Sequence, residues 1–346
     1  MLLFSPLSDE LPQPSTDFER EVMEFCRLWK SGQKQFLFHT SGSTGTPKPL
    51  YVHREAMEAS AKTTGEWLSL MPNDLALACL PVHYIAGAMV LVRAIVWDLR
   101  ICLVEPSVNP LLNLSPVSIQ LASFVPNQWS CMLDSSVDLN AYFSNSKGIL
   151  LGGAALSERL SERTQVLAFP IFETYGMTET VSHVAYKKPQ DRFFHLFNTV
   201  EYGVDERSCL RVKGAVTNEE WIQTNDIVQL HDSRKFEYLG RFDRVINSAG
   251  RKIHPEKIEK FISKQVSEEL EFFVEGLPDD HFGQMACLFY KGKMNDQEIH
   301  ALMTSLRGNF ESWELPKQFI QLPNFQITAS GKIDRLKSVA LYLKTK

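Results

Sequence analysis

The chain has no two cysteines close enough in sequence to form a metal clip. Cys26, Cys79, Cys102, Cys131, Cys209 and Cys287 are scattered over 346 residues. That pattern suits single buried thiols in a reducing cytoplasm rather than a zinc site or a disulfide framework. A long apolar run is missing too: the most hydrophobic stretch, Ala86 to Trp97, is interrupted by Arg93 and is too short to span a bilayer. The first residues, MLLFSPLSDE, have neither the cationic start nor the apolar length of a secretory signal, so a cytoplasmic protein is expected. Charge of neither sign dominates. With 36 Lys and Arg against 41 Asp and Glu, and no long basic run, nucleic acid is not an expected partner. Internal repeats and low-complexity segments are absent. What remains is an ordinary globular balance, 44% hydrophobic and 22% charged, over a length that suits one large and one smaller domain.

The most informative stretch runs from Phe36 to Lys48, FLFHTSGSTGTPK. Phe36-Leu37-Phe38 reads as a buried strand end. Thr40, Ser41, Gly42, Ser43, Thr44, Gly45 and Thr46 then supply hydroxyls and two glycines that let backbone N–H groups turn inward, and Lys48 adds a point charge. Such a loop fits a polyphosphate. It is not the P-loop of nucleotide triphosphatases, which needs Gly-Lys followed by Ser or Thr. The bland alternative is a Ser/Gly linker, which would not need an apolar strand before it and a Pro-Lys-Pro closure after it.

Around this loop the pattern alternates. Thr16-x-x-Glu19 has capping-box spacing and opens a helix to Lys30, with Phe18, Val22, Cys26 and Trp29 at helical period. Arg54 to Leu70 and Ala86 to Trp97 read as helices. Leu75 to Leu80, Ile101 to Val104, Ser123 to Val125 and Gly148 to Leu151 read as strands. Alternation at this spacing predicts an α/β fold with a parallel sheet. Leu210 to Lys213, Ile227 to Leu230 and Phe236 to Leu239 read as short antiparallel strands. After Gly240 the texture changes: helices at Pro255 to Val266 and Asp296 to Phe310, the latter with Asp296 as N-cap, and strands at Glu271 to Val274 and Met285 to Tyr290 predict a compact α+β unit.

Four more stretches carry chemistry. Gly152-Gly153-Ala154 follows a strand and would let a flat ring approach the backbone. Glu173 to Thr180, ETYGMTET, offers an aromatic face, a hydroxyl and a carboxylate, as a purine, a phosphate and Mg²⁺ would need in turn. GRFDR at Gly240 to Arg244 precedes NSAGRK at Asn247 to Lys252, and SGKIDR at Ser330 to Arg335 puts Lys332 on a tight turn. Singly, each has a dull reading: Tyr175 as a core aromatic, Glu179 as a solvated charge, Lys332 as a surface lysine. In order, with Asp226 between them, they resemble the acyl-adenylate-forming enzymes, over about residues 36 to 336.

That resemblance implies a large N-terminal adenylating domain, residues 1–240, of mostly parallel sheets plus an antiparallel subdomain, and a small mobile α+β lid, residues 241–346. It implies ATP, Mg²⁺ and CoA as the small molecules used. Thr40 to Thr46 and Lys48 would wrap the β- and γ-phosphates. Gly152, Gly153, Ala154 and Tyr175, with Gly176 beside it, would enclose adenine. Thr178 would contact the α-phosphate and Glu179 would hold Mg²⁺. Asp226, assisted by Arg241, would bind the ribose hydroxyls. Asp243 would be the hinge, Lys332 would bridge substrate carboxylate and α-phosphate, and CoA would enter beside Gly250, with Lys252 where several members carry an arginine.

Within the family the chain resembles the branch that joins o-succinylbenzoate to CoA in menaquinone synthesis, in a short form with most of the N-terminal subdomain missing. Leu80 to Gly87, LPVHYIAG, matches that branch's acyl-pocket segment, with Tyr84 in register with its usual histidine and Gly87 closing the match. For the carboxylate left unactivated, the candidates are Arg93, Ser182 and His183. Arg93 also reads as a helix-surface charge and His183 as a satisfied core histidine. Three departures stand out: Asn225 precedes Asp226 where glycine is usual, Arg244 replaces a second aspartate, and part of the acyl-pocket wall is missing. A second chain could supply that wall, which leaves a homodimer open. Other readings are adenylation of a different aryl or fatty acid, transfer to a carrier protein's pantetheine arm, and a non-catalytic adenylate-binding protein.

Overall fold

The computed structural model describes residues 1–39, 48–267, 270–327 and 333–345. The expected phosphate-loop residues Thr40 to Thr46 and the expected Lys332 lie outside the described residues. Among the described residues no helix is long and apolar enough to cross a membrane, and all six cysteines are free.

The chain opens with β1 (Leu2–Phe4) and α1 (Asp17–Lys30). The Thr16 side chain accepts the Glu19 N–H and caps α1, while the Glu19 carboxylate accepts from the Ser15 N–H and hydroxyl at 2.6 and 2.7 Å. A ribbon follows, β2 (Gln35–His39) paired antiparallel to β3 (Pro49–His53) and, among the described residues, to no other strand. The apolar run there is a strand of alternating burial, not a buried strand end: Phe36 and Phe38 face the core while Leu37 is 47% exposed. The ribbon's register brings His39 opposite Pro49.

Next come α2 (Arg54–Leu68), β4 (Leu75–Ala78), α3 (Ile85–Val96), β5 (Arg100–Leu103) and β6 (Leu121–Phe124). They are followed by α4 (Pro126–Leu133), α5 (Asn140–Phe143), β7 (Gly148–Leu151), α6 (Glu158–Gln165) and β8 (Ile171–Gly176). Strands β5, β4, β6, β7 and β8 are parallel in that spatial order, with β1 antiparallel on the outer edge. β4 and β7 are buried at every position, as a sheet covered on both faces requires. Their side chains alternate between two cores. Ala76, Ala78 and Leu150 join the residues of α1, α2 and α3, whereas Leu75, Leu77, Ile149 and Leu151 join those of α4, α5 and α6.

After β8 the same sheet turns antiparallel through β9 (His183–Lys187), β10 (Phe194–Leu196), β11 (Val200–Val204), β12 (Cys209–Gly214), β13 (Ile222–His231) and β14 (Lys235–Arg241). The spatial order is β8-β9-β10-β14-β13-β12-β11, so the antiparallel region is the far half of one 12-stranded sheet.

Beyond Arg241 lie β15 (Ile246–Ser248), β16 (Arg251–Ile253), α7 (Pro255–Ile262), β17 (Glu271–Asp279), β18 (Gly283–Lys291), α8 (Asp296–Arg307), β19 (Gln318–Gln321) and α9 (Arg335–Thr345). The five strands form a second sheet, with α7 and α8 packed on one face and α9 on the other. The cap of α8 is Asn295, one residue before the expected Asp296, and Asn295 and Glu298 complete a capping box. Glu259 of α7 receives a two-pronged bond from Arg335 of α9, at 2.6 and 2.9 Å. Glu158 of α6 lies 3.0 Å from Lys264 and 3.7 Å from Lys260, and Glu256 of α7 accepts the Arg241 N–H of β14 at 3.3 Å.

Candidate active site

The loop after β7 is shaped by what lies under it. A Cβ on Gly152 would sit 2.6 Å from Thr174 Oγ1, whose hydroxyl donates to the Leu151 carbonyl at 3.1 Å. Gly153 has φ +84°, in the left-handed region, and Gly153 and Ala154 are exposed.

Tyr175, on the neighbouring β8, packs its ring against Phe194 of β10 and Phe236 of β14. Its hydroxyl donates to Asp226 Oδ2 at 2.6 Å. Asp226 is on β13, four strand spacings from β8 and about 19 Å away in a flat sheet. The sheet therefore curls between β8 and β13, and Tyr175 spans the concave side. Asp226 sits opposite Arg241 in the β13–β14 register, with Nη1 3.7 Å from Oδ1. Burial pushes the Asp226 carboxyl above its ordinary range against the opposing pull of Tyr175 and Arg241. Burial and the adjacent carboxylate push the Tyr175 phenol well above its own. Arg241 also forks onto Asp243 at 2.8 and 2.6 Å. Burial works against the Asp243 carboxylate, but that guanidinium outweighs it and holds the carboxyl below its usual value.

Past β8 the chain makes a tight turn. Gly176 is required there, because a Cβ would overlap the Ser182 carbonyl oxygen. Thr178, Glu179 and Thr180 form one 3₁₀ turn. The fully buried Thr180 accepts the Met177 N–H at 3.0 Å and lies 2.8 Å from the Ser182 carbonyl oxygen. Val181 has φ +64° and ψ −55°, a strained conformation for a β-branched residue. The turn leaves Thr178 half-buried and Glu179 exposed. Among the described residues Glu179 pairs with no cation, and no group of three or more His, Cys, Asp and Glu gathers around a metal position. A lone free carboxylate still fits Mg²⁺, which commonly takes one or two protein carboxylates together with substrate phosphates.

The turn delivers Ser182 and His183 to Arg93. The residue lies in the apolar helix α3 and is 2% exposed, so it is not the surface charge its sequence also allowed. Nη2 donates to Ser182 Oγ at 2.8 Å, while the buried Nε has no partner and no carboxylate pairs with the guanidinium among the described residues. Burial lowers its pKa to about 10. His183 Nδ1 is 3.4 Å from Ser182 Oγ, and its Nε2 is 3.1 Å from Thr64 Oγ1 on α2. Burial first, and Arg93 second, push the imidazole well below its ordinary range. Gly87 and Tyr84 belong to the start of the same helix. Gly87 lets the Leu80–Pro81 backbone lie against the first turn, where a Cβ would overlap the Pro81 carbonyl. It sits six residues before Arg93, about 9 Å along the axis. Tyr84 holds the N-cap position with its ring 4.4 Å from that of His83.

Gly250 occupies the two-residue β15–β16 turn at φ +80° beside Ala249 at +50°, and open space surrounds it. Lys252 lies 5.9 Å over the Phe242 ring, and Lys48 is exposed. The structure thus brings Arg93, Ser182 and His183 into one cluster and Tyr175, Asp226, Arg241 and Asp243 into another. Sequence reading missed Thr64, Thr174 and the hydroxyl role of Tyr175. A threonine inside a helical run and a Thr-Tyr pair on a strand carry no local signal of contacts so remote.

Comparison with known proteins gives a consistent picture. The AMP-binding enzyme family matches residues 9–204. The 2-succinylbenzoate–CoA ligase of Staphylococcus epidermidis is 28% identical over 334 residues, covering 87% of this chain and 68% of that protein. A solved acyl-CoA synthetase (AMP-forming)/AMP-acid ligase II-like protein from Dyadobacter fermentans is 36% identical, with 96% of each chain covered and a TM-score of 0.64. The o-succinylbenzoate CoA synthetase of Bacillus subtilis, solved with its acyl-adenylate intermediate, is 22% identical, with a TM-score of 0.76 over 87% of this chain and 68% of that one. At that identity it supports the fold alone.

Proposed function

The chain belongs to the AMP-binding enzyme family, and from that premise we propose that it is an ATP- and Mg²⁺-dependent acid–CoA ligase acting on o-succinylbenzoate. The observation that carries the choice of acid is Arg93, a buried guanidinium with an unpartnered Nε and no carboxylate beside it among the described residues. A buried charge without a counter-ion is costly. An acid with two carboxylates, one activated and one held, provides the missing anion, whereas a fatty acid has none to offer.

In the first half-reaction a carboxylate oxygen attacks the α-phosphorus of ATP. The bond to the bridging oxygen of the β-phosphate breaks, and pyrophosphate leaves. Attack by one anion on another is opposed by their charge, so the residues around it lower the barrier by neutralisation. Thr178 is assigned to the α-phosphate, Lys332 to the space between carboxylate and phosphate, and Thr40 to Thr46 with Lys48 to the leaving pyrophosphate. Glu179 would hold Mg²⁺, which supplies positive charge to the phosphates. Tyr175 and the Gly152–Ala154 loop receive adenine, and Asp226, held by Tyr175 and Arg241, receives the ribose. In the second half-reaction the CoA sulfur attacks the acyl carbonyl, the carbon–oxygen bond to phosphate breaks, and AMP leaves as the thiol proton passes to solvent. Residues 241–346 would act as a lid turning about Asp243, carrying Gly250 and Lys252 toward the site. An enzyme using ATP and CoA, with six free thiols, belongs in the cytoplasm.

The test is a product assay with ATP, Mg²⁺, CoA and a panel of aryl and fatty acids. Selective AMP release and thioester formation with o-succinylbenzoate are expected, and Lys332→Ala should cut acid-driven ATP–pyrophosphate exchange by about 10²–10³-fold. Turnover of another acid in its place overturns the substrate, and exchange unaffected by Lys332→Ala overturns the assignment of Lys332.

A further inference from the structure

Arg93 stands at one end of a chain of hydrogen bonds whose other end is a main-chain carbonyl in α2, and that carbonyl fixes the direction of every bond between them. Thr64 Oγ1 lies 2.9 Å from the Ser60 carbonyl oxygen, an atom that can only accept. The Thr64 proton is therefore committed to it. Turned toward His183 instead, that proton would leave oxygen lone pairs facing each other at 2.9 Å in a buried place. Thr64 Oγ1 must then accept from His183 Nε2, 3.1 Å away. A neutral imidazole protonated on Nε2 carries its lone pair on Nδ1, and Nδ1 faces Ser182 Oγ at 3.4 Å. Ser182 Oγ in turn accepts from Arg93 Nη2 at 2.8 Å, from a group that has only protons to give. The polarity is consistent from end to end: Arg93 to Ser182 to His183 to Thr64 to the Ser60 carbonyl.

The surroundings keep this order. His183 is buried and its pKa is held well below the ordinary value, so the ring stays neutral. Trp67 meets it edge-on at 6.0 Å and Phe197 lies at 5.5 Å, so neighbouring rings limit its tilt. Satisfying Nη2 through Ser182 leaves Nε as the buried donor without a partner.

We propose that Thr64, which contacts none of the reacting groups, is a positioning residue for acyl-substrate specificity. It fixes His183 as the Nε2–H tautomer and, through Ser182, aims the Arg93 guanidinium at the carboxylate that is not activated. This rests on the acyl-site reading above. A hydroxyl that only filled space in α2 would be replaceable by a methyl group without consequence for the acid.

The experiment compares Thr64→Val, which keeps the shape and removes the hydroxyl, with Thr64→Ser, which keeps the hydroxyl. KM values for o-succinylbenzoate and for ATP are measured by pyrophosphate exchange. Long-range ¹H–¹⁵N spectra of the full chain, with His183 assigned through a His183→Gln variant, report which ring nitrogen carries the proton. Wild type should show the proton on Nε2. Thr64→Val should raise KM for the acid by about tenfold, leave KM for ATP unchanged and lose the fixed tautomer, and Thr64→Ser should restore both. An unchanged KM for the acid in Thr64→Val, an equal rise in both KM values, or a wild-type proton on Nδ1 overturns the proposal. If Thr64→Val does not fold, the wild-type spectrum decides by itself. Failure of wild type to adenylate o-succinylbenzoate while it adenylates another acid sinks the substrate reading separately, because the tautomer is read without any substrate.

Discussion

Tyr175 and Asp226 are 51 positions apart in sequence and are joined by a 2.6 Å hydrogen bond across the curled middle of the large sheet. The phenol is thus part of the wall of the expected nucleotide site and also the donor that steadies its buried carboxylate. One bond serves the sheet's curvature and the site together.

Tyr175→Phe keeps the ring contacts with Phe194 and Phe236 and removes that donor. KM for ATP should rise about tenfold with KM for the acid little changed, and urea unfolding should show a loss of about 1.5–3 kcal/mol, the range for a hydrogen bond to a charged group. The Asp226 carboxyl, already raised by burial, should rise further. An unchanged KM for ATP would separate the bond from nucleotide binding.

Arg93→Met replaces a buried cation, without a counter-ion among the described residues, by a neutral side chain of similar length. Stability should stay level or rise by about 1–3 kcal/mol, while KM for o-succinylbenzoate should rise by about 10²-fold or more, the scale of losing one partner of a buried charge pair. A stabilised protein that no longer recognises its acid would mark Arg93 as kept for the substrate. A destabilised one that binds the acid normally would mark it as structural.

His183 gives stability a pH dependence whose sign follows from its burial. The folded-state pKa is depressed, so the unfolded chain binds the proton more readily. The contribution is complete above the unfolded value near 6.5 and is lost as pH falls through the window down to the folded value. Once pH is well below 6.5, this group should remove about 1.4 kcal/mol per pH unit. Denaturant titrations between pH 7 and pH 5 should show that slope in wild type and a shallower one in His183→Gln. Equal slopes would mean that the histidine already shares the proton affinity of the unfolded chain.

Four of the five parallel strands were legible because they are short apolar runs, as at Leu75 to Leu80 and Gly148 to Leu151, whereas β8 was not, since Glu173 and Thr174 interrupt its apolar residues. Phe36 to Phe38 looks the same in one dimension yet belongs to a separate ribbon, since what distinguishes it is its partner, Pro49–His53, and not its own residues. The candidate site was legible where motifs mark it and illegible where packing does. Ser182 and His183 could be named from the end of the YGMTET stretch, whereas Thr64, 119 positions from His183, is an unremarked helix residue until α2 and β9 are brought together. Arg93 shows the same limit from the other side. Its type suggested two opposite readings, and its burial in α3 removes the surface-charge one.

Arg241 contacts two carboxylates at once, Asp226 in the large sheet and Asp243 just beyond its last strand. A single guanidinium cannot adjust to one without altering its hold on the other. Any ligand that draws on Asp226 therefore changes the energy of chain orientations at Asp243, and any reorientation at Asp243 changes the affinity of that ligand by the same factor, because linkage is reciprocal. The pair is built as a thermodynamic coupler: under the proposed assignment, nucleotide occupancy at Asp226 and the orientation of the chain at Asp243 would be written into one shared cation.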